Sequence, residues 1–285
     1  MTDNGLDIET LRQWTGREET AQATITPDPC DRMAATLESA NLDLTEGSPL
    51  PALWHWMYFL PTARASDIAI DGHPSKGGFL PPVPLLRRMW AGSRIMYHDE
   101  FRIGAEATRK SIIKDIEQKS QGLDAKIFVT VRHEFSTAGS LCLVEEQDIV
   151  YRHPPLVRSS AAKPLPAPAK AEWSQTIVPS PVLLFRYSAL TFNAHRIHYD
   201  RSYACATEGY PGLVVHGPLT ATLLMALLKR NAPDFAIRKI AIRALKPLFD
   251  LHAFELQGCG DQERATLWAL DHEAAACLQI EVLAS

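Results

Sequence analysis

The stretch Val214–Arg230, VVHGPLTATLLMALLKR, decides which fold this 285-residue chain can adopt. Proline is pre-set for the first position of a helix, so the Gly217-Pro218 pair predicts a helix over Pro218–Arg230. Apolar residues lie on nearly every face of that helix, which is typical of a helix buried on all sides. Four strands follow it, at Ile237–Leu245, Phe249–Gln257, Glu263–Leu270 and Ala276–Leu283. A helix followed by an antiparallel sheet predicts the α+β class.

The first half carries a similar series of segments rich in β-branched and aromatic residues, which predict strands. They are Met89–Phe101, Ala107–Gln118, Lys126–Phe135 and Ser140–Arg152. Short helices are expected at Ile8–Trp14, Asp31–Ala40, Val182–Ala189 and Arg201–Thr207.

The two halves resemble each other. Met89–Gly104 and Ile242–Gly258 share the pattern of a strand, a polar turn and a strand ending in glycine, which indicates an internal repeat. The chain before the second copy has room for the long helix that starts at Gly217. The loop Gly77–Pro84 before the first copy leaves no such room, so we expect the first repeat to be degenerate and to lack the central helix.

A proline-rich segment separates the halves. Pro154–Ala171, PPLVRSSAAKPLPAPAKA, contains five prolines, which exclude a helix or a central strand and favour an extended linker. The sequence therefore predicts an N-terminal domain over 1–153, a linker over 154–172 and a C-terminal domain over 173–285.

Composition excludes several classes of protein. Lys and Arg number 29 against 33 Asp and Glu, and the resulting net charge of −4 offers no general attraction to nucleic acid or an anionic membrane. No apolar run reaches the length of about 18 residues expected of a membrane span, and the polar start lacks the order of a signal peptide. We therefore expect a cytoplasmic protein. Its five scattered cysteines predict neither a disulfide framework nor a cysteine zinc site.

Three residues of the second half suggest chemistry. The free amides at the helix start beside Gly217 can stabilise an oxyanion. His198 can take and give a proton near neutrality, and the Asn193 amide can orient a water molecule. Together these groups suit the addition of water to an activated double bond. Each also has a structural alternative, a plain helix start for Gly217 and a structural histidine for His198, and His195-x-x-His198 is a weak zinc pattern.

The segment Ser188–Asp200, SALTFNAHRIHYD, followed by VVHGPLTATLL, resembles the signature of MaoC-like enoyl-thioester hydratases, specifically the type 2 hydroxyacyl-thioester dehydratases. The resemblance implies a double hotdog, in which antiparallel sheet wraps around a central helix. The superfamily signature is D-x-N-P-x-H. Here Asn193 takes the Asp position, His195 the Asn position and Arg196 the Pro position, which leaves His198 as the base. The type 2 subgroup resembles this sequence in having Asn there.

Two segments of the first half, Leu53–Pro61 and Gly77–Ser93, resemble family members that hydrate branched C5 acyl-CoA esters. The resemblance implies a hydro-lyase that converts mesaconyl-C4-CoA (3-methylfumaryl-CoA) or itaconyl-CoA to citramalyl-CoA. Coenzyme A would be part of the substrate, with no separate cofactor and no metal. A linear 3-hydroxyacyl-thioester dehydratase of fatty-acid metabolism, an acyl-CoA thioesterase and a non-catalytic acyl-CoA-binding protein remain alternatives. A homodimer is expected, because hotdog sheets commonly pair.

A dicarboxylic acyl group calls for an arginine in the pocket, because a guanidinium binds a carboxylate bidentately. The candidates are Arg87, Arg88, Arg94 and Arg196. Other candidate substrate contacts are His216 and the tryptophans Trp54, Trp56 and Trp90, and the candidate phosphate ligands for CoA are Lys229, Arg230 and Arg238.

Overall fold

The computed structural model describes residues 7–39, 42–120, 122–153 and 165–285. The helices are α1 (Ile8–Arg12), α2 (Pro27–Leu37), α3 (Pro181–Leu190) and α4 (Gly217–Asn231). The strands are β1 (Glu18–Thr24), β2 (Arg87–Tyr97), β3 (Glu106–Ser120), β4 (Lys126–Thr137), β5 (Ser140–Arg152), β6 (Trp173–Ile177), β7 (Ile237–Ala244), β8 (Phe254–Gly260), β9 (Arg264–Leu270) and β10 (Ala276–Ala284).

The ten strands of the described residues form one antiparallel sheet in the order β1-β3-β4-β5-β2-β7-β10-β9-β8-β6. The order is symmetric about its middle: each half contributes five strands, and its first strand lies at an outer edge. This symmetry is the internal repeat that the sequence indicates. It also joins the halves, because β2 of the first half pairs with β7 of the second from Gly92↔Arg243 to Met96↔Lys239.

The long helix α4 occupies the centre of the second half. Nine of its fifteen residues are buried, and it contacts β6, β8, β9 and β10. Its all-round apolar sequence is thereby explained, since sheet surrounds it on several sides. Between Tyr58 and β2 the described chain forms only loop and one short 3-10 turn, Ala65–Asp67. The first half therefore lacks the counterpart of α4, as predicted.

Several boundaries differ from the sequence expectation. Strands β1 and β6 were not predicted; both are short outer strands. The strand expected from Phe249 begins only at Phe254, because the Asp250 side chain accepts a hydrogen bond from the Leu213 N–H (2.9 Å) and holds a turn there. The helix expected over Arg201–Thr207 is present, but its Tyr203–Thr207 part is π-helical.

The domain boundaries remain predictions. Residues 154–164 of the expected linker lie outside the described residues, and the two halves share one sheet. Within the described part of the chain, no helix combines the length and the apolar character needed to cross a membrane.

Candidate active site

The start of α4 presents a free backbone donor. Gly217 is the first helical residue, and its N–H makes no hydrogen bond to any described residue. A Cβ at this position would lie 2.8 and 2.9 Å from two ring atoms of Trp90, so only glycine allows the indole to pack against the helix start. The Trp90 Nε1–H donates to Ser93 Oγ (3.1 Å), which fixes the ring. An oxyanion beside Gly217 would meet an amide donor and the positive end of the helix dipole.

His198 ends a 3-10 turn, Arg196–His198, close to the same helix start. Its Nδ1–H donates to the carbonyl of Val214 (2.7 Å), and because a carbonyl only accepts, Nε2 carries the lone pair. Burial lowers the pKa of His198 to about 4. The side chain is therefore a neutral base at neutral pH, with its tautomer set by the backbone.

Asn193 lies beside these groups in the lining of the same cleft. Its Oδ1 accepts a hydrogen bond from the His195 N–H (3.0 Å), while its own N–H donates to the carbonyl of Ser188 (2.8 Å). The amide nitrogen of the side chain has no partner among the described residues. The structure thus brings Asn193, His198 and Gly217 to one cleft.

The first half adds two residues that the sequence analysis missed, Asp71 and His73. The His73 Nδ1–H donates to Asp71 Oδ2 (3.0 Å), and the His73 ring lies 4.1 Å from the ring of His195. Gly72 allows this approach: it has φ of +92°, and a Cβ there would lie 1.8 Å from the carbonyl oxygen of Ala194. The sequence signal was D-G-H-P at 71–74, in which an Asp and a His flank a glycine.

Four imidazoles lie in a row. From His73 the row passes to His195, whose ring is 5.4 Å from that of His198, and then to His216, which stacks on His198 at 3.6 Å. Burial is the main cause that lowers the pKa of all four. His216 lies behind His198, is hydrogen-bonded to Ser188 Oγ (2.8 Å) and does not line the cleft. The structure therefore argues against its predicted contact with substrate and gives it a packing position.

The predicted arginines divide into two groups. Arg196 binds Asp200 and the carbonyl of Ile70 and does not line the cleft, which argues against the predicted substrate contact. Arg87 is likewise turned away, since it is paired with Glu208 at 2.9 Å.

Two other arginines line the cleft. Arg94 does so while paired with Asp148 at 2.5 Å. Arg88 lines it and has no carboxylate partner among the described residues. Arg88 is therefore the arginine of the predicted set that remains available for a substrate carboxylate.

The tryptophans divide similarly. Trp54 is buried in the core, whereas Trp56 and Trp90 line the cleft with their rings 6.0 Å apart, edge to face. The Trp56 Nε1–H donates to the carboxylate of Glu145 (3.0 Å). A pair of ordered indoles therefore forms one wall of the cleft.

The cleft has a volume of 1730 Å³ and is built by both halves. On the first-half side it is lined by residues on the face of β4 and β5 that lacks a helix like α4, including Val131, His133, Gln147 and Ile149. Basic residues line it, namely Arg88, Arg94, Arg109, Lys119, Lys126, Arg152, Arg243 and Lys246. The predicted phosphate ligands Lys229, Arg230 and Arg238 do not line it, and Lys229 and Arg230 bind Pro233 and Gln175 instead.

Asp71, His73 and His195 carry donor atoms within 4.8 Å of one another, a spacing also compatible with a metal ion. However, Asp71 Oδ2 already accepts the His73 Nδ1–H, and the pKa of both His73 and His195 is lowered mainly by burial and further by the positive charge of Arg88. A nearby cation disfavours a divalent ion for the same electrostatic reason. The arrangement fits a hydrogen-bonded acid–base pair better.

We compared the chain with protein families and with known proteins. A family model described as hydroxyacyl-thioester dehydratase type 2 matches residues 53–250. The chain is 47% identical over 276 residues to the mesaconyl-C(4)-CoA hydratase of Chloroflexus aurantiacus, covering 94% of this chain and 96% of that protein.

Solved structures show the fold. HtdX of Mycobacterium tuberculosis superposes with a TM-score of 0.70 at 15% identity, covering 94% of this chain and all of that chain. A second M. tuberculosis protein, described as a double hotdog, superposes with a TM-score of 0.58 at 14% identity, covering 95% and 96% of the two chains. The predicted double hotdog is confirmed.

Proposed function

This chain belongs to the hydroxyacyl-thioester dehydratase type 2 family, and from that premise we propose that it is a hydro-lyase for the reversible hydration of an enoyl-CoA thioester. The observation that carries the proposal is the convergence of a neutral imidazole base, His198, with the free amide of Gly217 in one cleft. The His198 base and the Gly217 amide occupy one site because His198 is hydrogen-bonded to the carbonyl of Val214, which lies three residues before the start of α4.

In the hydration direction, Asn193 orients a water molecule and His198 Nε2 removes its proton. The water oxygen bonds to C3, and the electron pair of the double bond moves toward the thioester. The Gly217 N–H then stabilises the developing oxygen anion, a contribution typically worth about 100-fold or more in rate.

The proposed substrate is a branched C5 dicarboxylic acyl-CoA. The relative at 47% identity is a mesaconyl-C(4)-CoA hydratase, and Arg88 provides an uncompensated guanidinium in the cleft. Such a group binds a carboxylate bidentately. The CoA phosphates are proposed to bind basic residues that border the cleft.

The test is a substrate panel followed by the absorbance of the enoyl thioester: crotonyl-CoA, a long linear enoyl-CoA, mesaconyl-C4-CoA and itaconyl-CoA. We expect turnover of a C5 dicarboxylic substrate that His198→Ala abolishes. Turnover of linear enoyl-CoA alone would favour the fatty-acid dehydratase. Release of free thiol would identify a thioesterase, and tight binding without reaction would identify a binding protein.

Arg88→Gln tests the carboxylate contact. We expect a KM for the dicarboxylic substrate raised about 10-fold or more and an unchanged KM for crotonyl-CoA, because only the former loses an ion pair. Arg64→Gln, at an exposed position outside the cleft, is the matched control. Equal effects on both substrates would contradict a carboxylate site at Arg88. A cytoplasmic location and a homodimer remain predictions.

A further inference from the structure

The site described above has a base for water, and the source of the proton that reaches the substrate is a second question. Adding water across a double bond places a hydroxyl group on C3 and a proton on C2, the carbon next to the thioester carbonyl. Asn193 cannot supply that proton, since an amide does not titrate in this range. That proton can come from His198, which has taken one from the water, or from a second acid–base group that faces the cleft.

We propose that His73, held by Asp71, is the group that exchanges the C2 proton, so that each half of the chain supplies one acid–base residue to a shared active site. This inference rests on the hydratase function proposed above.

The geometry supports His73 as the free acid–base group. It lines the cleft, its Nδ1–H is bound to Asp71 Oδ2 (3.0 Å), and its Nε2 has no hydrogen-bond partner among the described residues. The carboxylate fixes the tautomer and stabilises the imidazolium when Nε2 takes a proton, as an orienting carboxylate does for a catalytic histidine. Asp71 is thus a positioning residue.

The position relative to His198 also fits. The ring of His195 is 4.1 Å from that of His73 and 5.4 Å from that of His198, and all three residues line the cleft. The Gly72 backbone, in contact with Ala194, holds the first-half loop in this place.

The step balances. In hydration, His198 Nε2 takes a proton from water as the oxygen bonds to C3, and the π electrons of the double bond become the enolate held at Gly217. Protonated His73 then donates its Nε2 proton to C2, and the carbonyl reforms. His198 afterwards releases its proton to solvent and His73 regains one; dehydration is the reverse, with neutral His73 removing the C2 proton.

The variants His73→Gln and Asp71→Asn test this assignment in the full-length enzyme, with Asp67→Asn as a matched control. Asp67 lies on the same loop but is exposed and outside the cleft lining. The substrate is the enoyl-CoA that the wild type hydrates fastest, and the reverse reaction uses the hydroxyacyl-CoA with deuterium at C2.

We expect His73→Gln to lower kcat about 100-fold or more with KM within a few-fold. The primary isotope effect of C2 deuterium on dehydration should rise, because cleavage of that bond becomes rate-limiting. In His73→Ala, added imidazole should restore part of the rate. A reduced rate with an unchanged isotope effect and no imidazole rescue would make His73 a positioning residue and overturn the proposal.

Asp71→Asn has a pH signature. Asp71 raises the pKa of His73, whereas burial, Arg88 and Lys76 lower it, so removing the carboxylate lowers the pKa further. Hydration needs protonated His73, and the alkaline limb of its pH profile should therefore move to lower pH. An unmoved limb would overturn the role of Asp71.

Three further outcomes are decisive. If wild type hydrates no enoyl-CoA, the proposed function fails. If wild type and Asp67→Asn are active and both site variants match them within twofold, only the present inference fails. If EDTA abolishes wild-type activity and Zn²⁺ restores it, the cluster is a metal site and the inference is also overturned. Thermal melts and CoA-ester binding establish that the variants are folded.

Discussion

Gly217 combines two requirements at one residue, an unobstructed amide and close contact with Trp90. The contact belongs to a longer chain of neighbours, because Trp90 packs on Trp56 and Trp56 binds the buried Glu145. Rotations of the indole are therefore restrained on several sides. The oxyanion donor at Gly217 is thus linked through two tryptophans to the buried carboxylate of Glu145 in the first half.

We predict that Gly217→Ala lowers kcat/KM by about 10-fold or more while keeping the backbone amide. The new Cβ would lie within 2.9 Å of the Trp90 ring, and overpacking of this kind costs roughly 1–3 kcal/mol. The measurement is enoyl-CoA hydration by the single variant and by Gly217→Ala with Trp90→Phe. The smaller ring should recover part of the loss; no recovery would show that displacement of Trp90 is not the cause.

The pH dependence of the reaction follows from His198. Its pKa is lowered to about 4 by burial, and its neighbours are the imidazoles of His195, His216 and His73. A base works when unprotonated, so the acid limb of the kcat/KM profile for hydration should lie near pH 4. A stopped-flow profile on folded enzyme measures this limb. An acid limb near 6.5 would contradict a buried base.

Glu145 is a fully buried carboxylate whose partners are His55 Nε2 (2.9 Å), Trp56 Nε1 and Gln147 Nε2. Removal of one member of a buried pair costs about 3–5 kcal/mol, so we predict that Glu145→Gln lowers the free energy of unfolding by roughly 3 kcal/mol at pH 7. Urea denaturation measures it, and exposed Glu117→Gln is the control. A loss below about 1 kcal/mol would contradict the buried pair.

The same substitution has a pH window. Burial alone would raise the pKa of Glu145. The hydrogen bond from His55 and the charges of His55 and His133 outweigh burial and lower the pKa to about 2. The carboxylate therefore contributes stability above the ordinary value of 4.5, and this contribution is lost as pH falls toward 2. The difference between wild type and Glu145→Gln should accordingly shrink between pH 4.5 and 2.

At the scale of elements, the loop between Tyr58 and β2 takes the place of a helix. In the second half, α4 fills the concave face of its sheet; in the first half that face instead lines the cleft. The loop crosses to the second half at Gly72, where it carries Asp71 and His73 to His195. A missing element thus creates the volume for substrate, and its replacement supplies polar groups.

Gly72→Ala should lower kcat strongly, because a Cβ would lie 1.8 Å from the Ala194 carbonyl and push the loop away from His195. Gly47→Ala is a close control: Gly47 has φ of +91° against +92° for Gly72, but a Cβ there would meet no atom within 4 Å. Both variants share the backbone strain, so their difference reports the contact alone. Equal activity in the two variants would show that the contact does not hold the site.

At the scale of the whole molecule, the β2–β7 pairing makes the halves interdependent. Gly92 at this junction would place a Cβ 2.1 Å from the Ile242 carbonyl, so the strands pack tightly there. Separation of the halves would expose the edges of β2 and β7, and unpaired edges favour aggregation. The active site is also divided between the halves.

We therefore predict that residues 165–285 alone retain less than about 1% of hydratase activity, although they contain Asn193, His198 and Gly217. They lack Arg88, Trp90 and His73, and their β7 edge is unpaired. Co-expression with residues 1–164 should restore activity by re-forming the sheet. Size-exclusion chromatography and the hydration assay test both statements, and full activity of 165–285 alone would disprove a shared site.

Local sequence determined much of this protein. The all-apolar helix, the strand series, the repeat and the missing first helix are properties of short segments, and the hydrophobic effect turns such periodicity directly into buried faces. The candidate residues Asn193, His198 and Gly217 lie within 25 positions of one another, so the sequence alone could group them.

Tertiary structure decided the rest. Arg88 and Arg196 are the same residue type, but Arg196 binds Asp200 and the carbonyl of Ile70, whereas Arg88 has no carboxylate partner among the described residues. Asp71 and His73 lie more than 100 residues before His195, and their meeting depends on how two halves pack at Gly72. Spacing along the chain determines which residues share a helix or a strand. The partner of a charged group and the lining of a cleft depend on residues distant in sequence, because only packing brings those residues within hydrogen-bonding distance.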